Sequence, residues 1–214
     1  MADNYLEKRA QEVEENLHRG SRKASTRVVK PLDSLLKKNR SFRGYDPSRV
    51  VTEAELREIV SVASFVPSGM NRQPLRFRLV LSSEASKLHP LYKLGAALPE
   101  EHLPKPGTEP GAFIVVCSAV PEDRVVDMDL GIAAQSMLLK ATEMGLGGIF
   151  ILNFDVAAVR EALGLSLTPI ALIAIGKGAE SIFLIPADKG QSLKYFRRDG
   201  VHFVPKLTLD DILL

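Results

Sequence analysis

Hydrophobic residues along this chain recur with two periods, and the change from one to the other predicts most of its elements. Leu32, Leu35 and Leu36 mark the apolar face of a short helix, Leu32–Lys38, opened by Pro31. Thr52 and Glu55 have the spacing of a capping box, and Leu56, Ile59, Val60 and Ala63 continue a second helix behind them. Pro67 and Gly69 end it in the loop 66–71. Phe77, Leu79 and Leu81 then alternate with Arg78 and Val80, which predicts a strand over 76–81. From 83 to 111 the pattern fades into a short helix and a long loop rich in Pro, Gly and Glu, of a length that suits a lid.

The second half reads strand, helix, strand, helix, strand. A run over 112–120 that is apolar but for Ser118 predicts a buried strand, and Leu130, Ala133, Ala134, Met137, Leu138 and Ala141 share one face of a helix over 127–144. Gly145 and Gly147 stop that helix. A short strand over 149–152 follows, then a helix over 155–163 between Asp155 and Gly164, and a strand over 171–175 halted by Gly176. The tail over 194–214 mixes basic residues with Leu207, Leu209 and a terminal Ile-Leu-Leu. At the other end, Leu6, Val13 and Leu17 form a rough stripe on a solvated helix over 4–17, and 21–30 reads as a basic linker. The arrangement is α and β around one sheet.

Composition adds mostly exclusions. With 214 residues, 45% hydrophobic and 25% charged, the chain is long enough for a core without disulfides or a structural metal. A net charge of +2 is too small to argue for a nucleic-acid or membrane partner. No apolar run approaches the ~20 residues needed to span a bilayer, and no apolar leader precedes the first helix. The one cysteine, Cys117, lies inside a predicted strand and reads as a small core hydrophobe. A reduced cytoplasmic protein is expected.

Hydrolytic and metal chemistry lose their usual supports. The four histidines, His18, His89, His102 and His202, have no ligand spacing, and no Gly-x-Ser-x-Gly, Walker loop or Gly-x-Gly-x-x-Gly occurs. Asp127 and Asp129 at a helix start are explained by the helix dipole. Three segments remain. Arg40 and Arg43 with Ser41 between them can converge on a phosphate, although by themselves two arginines at a helix end are better explained as partners of its terminal carbonyls. The loop 67–74 can press its backbone against a planar ligand and offer side-chain amides, or simply join a helix to a strand. The turn at 145–148 would let backbone approach a ring, or serve as a helix cap.

In order and spacing these segments resemble the FMN-dependent nitroreductase family. Arg40-Ser41-Phe42-Arg43 is similar to its Arg-Ser-x-Arg signature, and 67–74 to its Pro-Ser-x-x-Asn-x-Gln-Pro loop, with Leu75 where many members carry Trp. Residues 129–148, including Gln135 and the glycine turn, are similar to its central helix and turn. The resemblance implies an α+β fold, a central mixed and mainly antiparallel sheet flanked by helices, in a homodimer with FMN at the subunit interface. Residues 1–30 would be an N-terminal helical extension and linker, and 31–214 the FMN-binding domain. Arg40, Ser41 and Arg43 would hold the phosphate, ribityl chain and pyrimidine side. Ser68, Gly69 and Asn71 would reach the flavin from the neighbouring subunit, with Pro67, Met70 and Gln73 nearby. Gly147 and Gly148 would lie against the ring. Lys206 is the expected basic ligand of the tail, with Arg197 and Arg198 as competitors.

The flavin itself would carry the chemistry, so no catalytic side chain is assigned, and Arg43 would stabilise its reduced form. The implied reaction moves hydride from NADH or NADPH through flavin N5 to a nitro compound, quinone or similar small acceptor in a ping-pong cycle. An FMN-using dehydrogenase, a flavin-modifying enzyme and a non-catalytic FMN-binding protein are the other readings.

Overall fold

Strand β1 (Leu75–Val80) opens a four-stranded sheet completed by β2 (Ala112–Ser118), β3 (Gly147–Ile151) and β4 (Thr168–Gly176). The coordinates are a computed structural model, which describes residues 31–214; the helix and linker expected over 4–17 and 21–30 lie outside the described residues. The spatial order is β1-β2-β4-β3 and every neighbouring pair is antiparallel. The two central strands bury both faces, and their side chains alternate between two cores. Ile114 and Val116 of β2, with Ala171, Ile173 and Ile175 of β4, enter one core; Phe113, Val115 and Cys117, with Leu172 and Ala174, enter the other.

Helices cover both faces. In chain order they are α1 (Leu32–Lys38), α2 (Glu53–Ser61), α3 (Ser82–Ala85), α4 (Arg124–Glu143), α5 (Val156–Ala162) and α6 (Leu209–Ile212). The capping box at Thr52 and Glu55 forms as expected, with Glu55 N donating to Thr52 Oγ1 at 3.2 Å and Thr52 N to Glu55 Oε2 at 2.9 Å. Leu56 and Ile59 of α2 meet Leu130, Ala133, Ala134, Met137 and Ala141 of α4 in the first core. Helix α4 starts three residues earlier than the expected 127, because Asp123 caps it by accepting from Val125 N and Val126 N at 2.8 Å. It ends in a Schellman cap: Gly145 has φ +80°, its N–H donates to Thr142 O, and Leu146 N donates to Ala141 O.

The α+β architecture matches the expectation, with two refinements. The described residues build two sheets where one was expected, and the parallel strand pairing lies in the second. Strands β5 (Ser181–Ala187), β6 (Phe196–Arg198) and β7 (Val201–Leu207) form a three-stranded sheet in the order β5-β7-β6, with β5 parallel to β7 and β6 antiparallel to it. The sequence offers no strand over these residues: the tail over 194–214 mixes basic with apolar positions, and Pro205 interrupts the alternation of β7. The second refinement is that Gly147 and Gly148 belong to strand β3, which starts two residues before the expected 149. The segment between α3 and β2 is held by short 3-10 turns at His89–Leu91 and Pro99–Glu101, and by a bridge from Tyr92 to Phe154.

Candidate functional site

Arg40, Ser41 and Arg43 follow α1, where the chain turns onto the sheet edge. Ser41 pairs with Gly148 as a parallel bridge beside β3, and Phe42 N donates to Gly148 O at 3.2 Å. The Phe42 ring is wedged between two glycines, one at each edge: a Cβ at Gly147 would meet it at 2.5 Å, and one at Gly178 at 2.3 Å. Burying Phe42 beneath the turn leaves its neighbours Ser41 and Arg43 facing outward. The backbone N–H groups of Arg43 and Gly44 both donate to Glu180 Oε2, the latter at 3.0 Å, which fixes the turn from the side of β5.

These residues line a cleft of about 460 Å³ with Gly148, Gln135, Tyr195, His202 and Lys206. Among its lining residues are three cations, Arg40, Arg43 and Lys206, and no carboxylate. Its walls are apolar, from Leu36 of α1, Leu138 of α4, Phe150 of β3 and Val204 of β7. Several polar atoms here are buried without a hydrogen-bond partner: Arg40 Nε, Arg43 Nε, and both ring nitrogens of His202. Buried polar groups are nearly always paired in native proteins, so this group of them points to a polar ligand. Burial lowers the pKa of the Arg40 guanidinium, which stays charged. Arg43 Nη1 donates to Ser41 O at 3.1 Å, and its guanidinium stacks 4.7 Å from the Tyr195 ring. The volume falls in the range of small-ligand sites.

The expected site residues divide. Arg40, Ser41, Arg43, Gly148 and Lys206 meet in this cleft. Gly147 is buried beneath Phe42 and is not among the lining residues, so its smallness serves packing. Of the basic candidates in the tail, Arg197 is bound to Glu180 and lies 3.7 Å from Glu101, while Arg198 stacks on Phe203 at 5.5 Å; only Lys206 of the three lines the cleft.

The loop 67–74 lies elsewhere in the chain. Pro67, Ser68 and Gln73 line a second, more apolar cleft of about 350 Å³, and no residue lines both. Its backbone is strained: Met70, Asn71 and Gln73 hold φ of 53°, 54° and 47°. Gln73 Nε2 donates to Asn71 Oδ1 at 3.0 Å, and Gln73 N to Ser68 Oγ at 2.9 Å. Gly69 presses on α4 so closely that a Cβ would come within 2.2 Å of Val125 Cγ1. Met70 projects outward, 83% exposed.

The anchor of this loop corrects one sequence expectation. Asp129 does not serve the helix dipole; because α4 starts at Arg124, Asp129 lies in its second turn, is buried, and accepts from Ser68 Oγ at 2.6 Å and Gly69 N at 2.9 Å. Tyr195, His202, Glu180 and Gln135 were not foreseen as lining or support. The spacing of His202, Val204 and Lys206, alternate positions that one strand would place on one face, is the signal that could have joined His202 to Lys206. No group of three His, Cys, Asp or Glu suited to a metal occurs among the described residues. Cys117 is buried, and burial raises its thiol pKa, as an inert core thiol requires. No helix among the described residues is long and apolar enough to cross a membrane.

Fold and cleft together define the class: an α+β protein with a cationic, apolar-walled cleft at the edge strand of its antiparallel sheet. The model of the Nitroreductase family matches residues 36–116 and 105–177, and the chain belongs to that family. A protein of Methanothermobacter thermautotrophicus, provisionally named an NADH dehydrogenase/NAD(P)H nitroreductase, is 29% identical over 166 residues, 72% of this chain and 81% of its own length. A stretch of 58 residues is 41% identical to the provisionally named NAD(P)H nitroreductase YdgI of Bacillus subtilis, and spans only 28% of that protein. Among solved structures, a provisionally assigned nitroreductase from Exiguobacterium sibiricum in complex with FMN superposes with a TM-score of 0.58 at 21% identity. That match covers 71% of this chain and 90% of the other.

Proposed function

We propose that residues 31–214 form an FMN-binding domain and that two copies of the chain build each flavin site. The chain is an NAD(P)H-dependent oxidoreductase by its family and by the names of its relatives. The observation that carries the flavin is the cleft with unpartnered Arg40 Nε and Arg43 Nε beside Ser41, Gly148 and Lys206. A dianionic phosphate suits Arg40, Lys206 and the Ser41 hydroxyl, because charge-assisted bonds there replace lost solvation. Arg43, held by the Glu180 contacts and stacked on Tyr195, suits the pyrimidine side of the ring. A fixed cation there favours negative charge on that side, in the manner of preorganised electrostatics. When bound, FMN would accept hydride from NADH or NADPH and pass electrons to a nitro compound, quinone or similar small acceptor in a ping-pong cycle.

The homodimer rests on the separation of the two clefts. The loop 67–74 and the Arg40–Arg43 turn line different cavities within one chain, so a site that uses both needs a second copy. Met128 and Ile132, four apart on α4, are 51% and 40% exposed and offer that copy an apolar face. An unpaired, buried Cys117 suits a reducing compartment such as the cytoplasm.

One absorbance spectrum of the purified protein, taken before and after adding NADPH, tests the reading. Flavin bands that bleach on NADPH are expected. A colourless protein that takes up no FMN would reject it, and bound flavin that no NAD(P)H reduces would favour a non-catalytic flavin carrier instead.

A further inference from the structure

Strand β7 runs along the cleft and presents His202, Val204 and Lys206 to it on one face. Four residues at about 3.3 Å each place the Cα atoms of Lys206 and His202 roughly 13 Å apart. A ribityl chain with its phosphate can bridge such a span, so with FMN bound Lys206 would stand at the phosphate end and His202 at the ring end. The imidazole is 2% exposed, and neither of its ring nitrogens has a hydrogen-bond partner. Its surroundings explain why it is not simply a core histidine. The Tyr195 ring lies 5.1 Å away, and the charged groups facing it are the cations Arg43 and Arg197 and the carboxylates Glu180 and Glu101. The carboxylates are taken: Glu180 accepts from Arg43 N, Gly44 N and Arg197, and Glu101 lies near Arg197 and Lys105. Nothing among the described residues satisfies the imidazole, although a buried polar group left unpaired is destabilising.

We propose that His202 is a further flavin-contacting residue, pairing a ring nitrogen with the polar pyrimidine edge of bound FMN. The proposal rests on the flavin reading above. Burial and the two arginines lower the imidazole pKa, so the ring is neutral, with one donor and one acceptor. The pyrimidine edge of a flavin also carries both an N–H donor and carbonyl acceptors, so a neutral imidazole matches it in either tautomer, where a third cation would serve only the carbonyls. Arg43 would then supply charge and His202 direction.

The test titrates FMN into apo-protein and follows flavin fluorescence. For His202→Leu, affinity is expected to fall about 5–30-fold, the range of one lost hydrogen bond to a buried group. His202→Gln, which keeps a donor and an acceptor, is expected to stay within about threefold of the natural protein. Equal affinity in natural protein and His202→Leu overturns the proposal while leaving the flavin reading standing; natural protein that binds no FMN overturns both. If His202→Leu does not fold, the natural protein decides. Imidazole nitrogen resonances of its four histidines are recorded with and without FMN, and one buried, neutral ring must shift on binding. An unmoved His202 resonance rejects the contact.

Discussion

The carboxylate of Asp129 holds Ser68 by its hydroxyl at 2.6 Å and the next residue, Gly69, by its backbone N–H at 2.9 Å. One buried acid on α4 therefore fixes the start of a loop whose next turns carry three non-glycine residues at positive φ. Strain of that kind persists only where neighbouring structure over-determines it. Removing the acid leaves the Ser68 hydroxyl without its acceptor, although it still accepts from Gln73 N, and leaves the Gly69 N–H unpaired and the loop free to relax. Asp129→Ala is expected to lose about 1–3 kcal/mol of stability. If the loop serves a flavin on a partner subunit, FMN affinity falls as well. Urea denaturation with flavin titration on the same samples checks both. Unchanged stability would mean the loop holds its shape by other means.

How much of this was legible beforehand depends on how local each signal is. The capping box at Thr52, the apolar face of α4 and the runs of β2 and β4 are written in residues close in sequence, and each forms, with ends shifted by up to three residues from those the periodicity gives. Asp129 was misread because its role depends on where α4 begins, and the cap at Asp123 lay outside the apolar stripe. The second sheet was missed for a different reason. Strands β5 and β7 pair in parallel across an intervening segment, and β5 leaves Phe183 and Leu184 56% and 40% exposed, so no clean buried face announces it. The cleft was half visible: Arg40, Ser41 and Arg43 stand in one motif, whereas His202 and Tyr195 join them only through that second sheet.

Gly147 was expected to touch a flavin ring, but the nearer constraint is Phe42. A methyl at Gly147 would lie 2.5 Å from the Phe42 ring, and the ring has no room to retreat because Gly178 presses its other edge. Gly147→Ala is expected to cost about 1–3 kcal/mol, the usual range for overpacking. Shortening the ring in Phe42→Leu should restore part of that loss in the double variant. A double-mutant cycle by thermal denaturation reads the coupling, and strict additivity would show that the contact is not the cause.

The three basic residues of the tail make different predictions. Lys206→Ala is expected to weaken FMN binding by about 5–30-fold, with an effect that shrinks at high salt, as for an exposed ion pair with phosphate. Arg198→Ala, which removes only a stack on Phe203, should leave affinity within error. Arg197→Ala should lower stability, because it frees Glu180 from one of its partners beside the Arg43 turn. Arg43→Ala should weaken FMN binding and lower the flavin potential, since reduction adds negative charge where that cation lies. Flavin titrations at two ionic strengths, with a potentiometric measurement on Arg43→Ala, separate these outcomes. Equal losses in all three tail variants would point to a general charge effect.

His202 also carries a pH signature that needs no ligand. Its folded pKa is lowered, by burial first and then by Arg43 and Arg197, against partial opposition from Glu180 and Glu101. The unfolded chain takes up a proton as pH falls through about 6.5, while the folded imidazole stays neutral. Protons then bind the unfolded state more, so stability is full above that value and declines as pH falls towards the lowered folded value. Asp123 and Glu84, whose folded pKa values are lowered by hydrogen bonds to Val126 N and Lys87, add their losses at more acidic pH, below the usual carboxylate range. The two contributions therefore separate along the pH axis. In His202→Gln the decline just below pH 6.5 should flatten, while the acid limb stays. Denaturation midpoints taken from about pH 7.5 down to about pH 3, across the histidine and carboxylate ranges, follow both, and an unchanged slope just below 6.5 in that variant would show that the imidazole does not titrate differently in folded and unfolded chains.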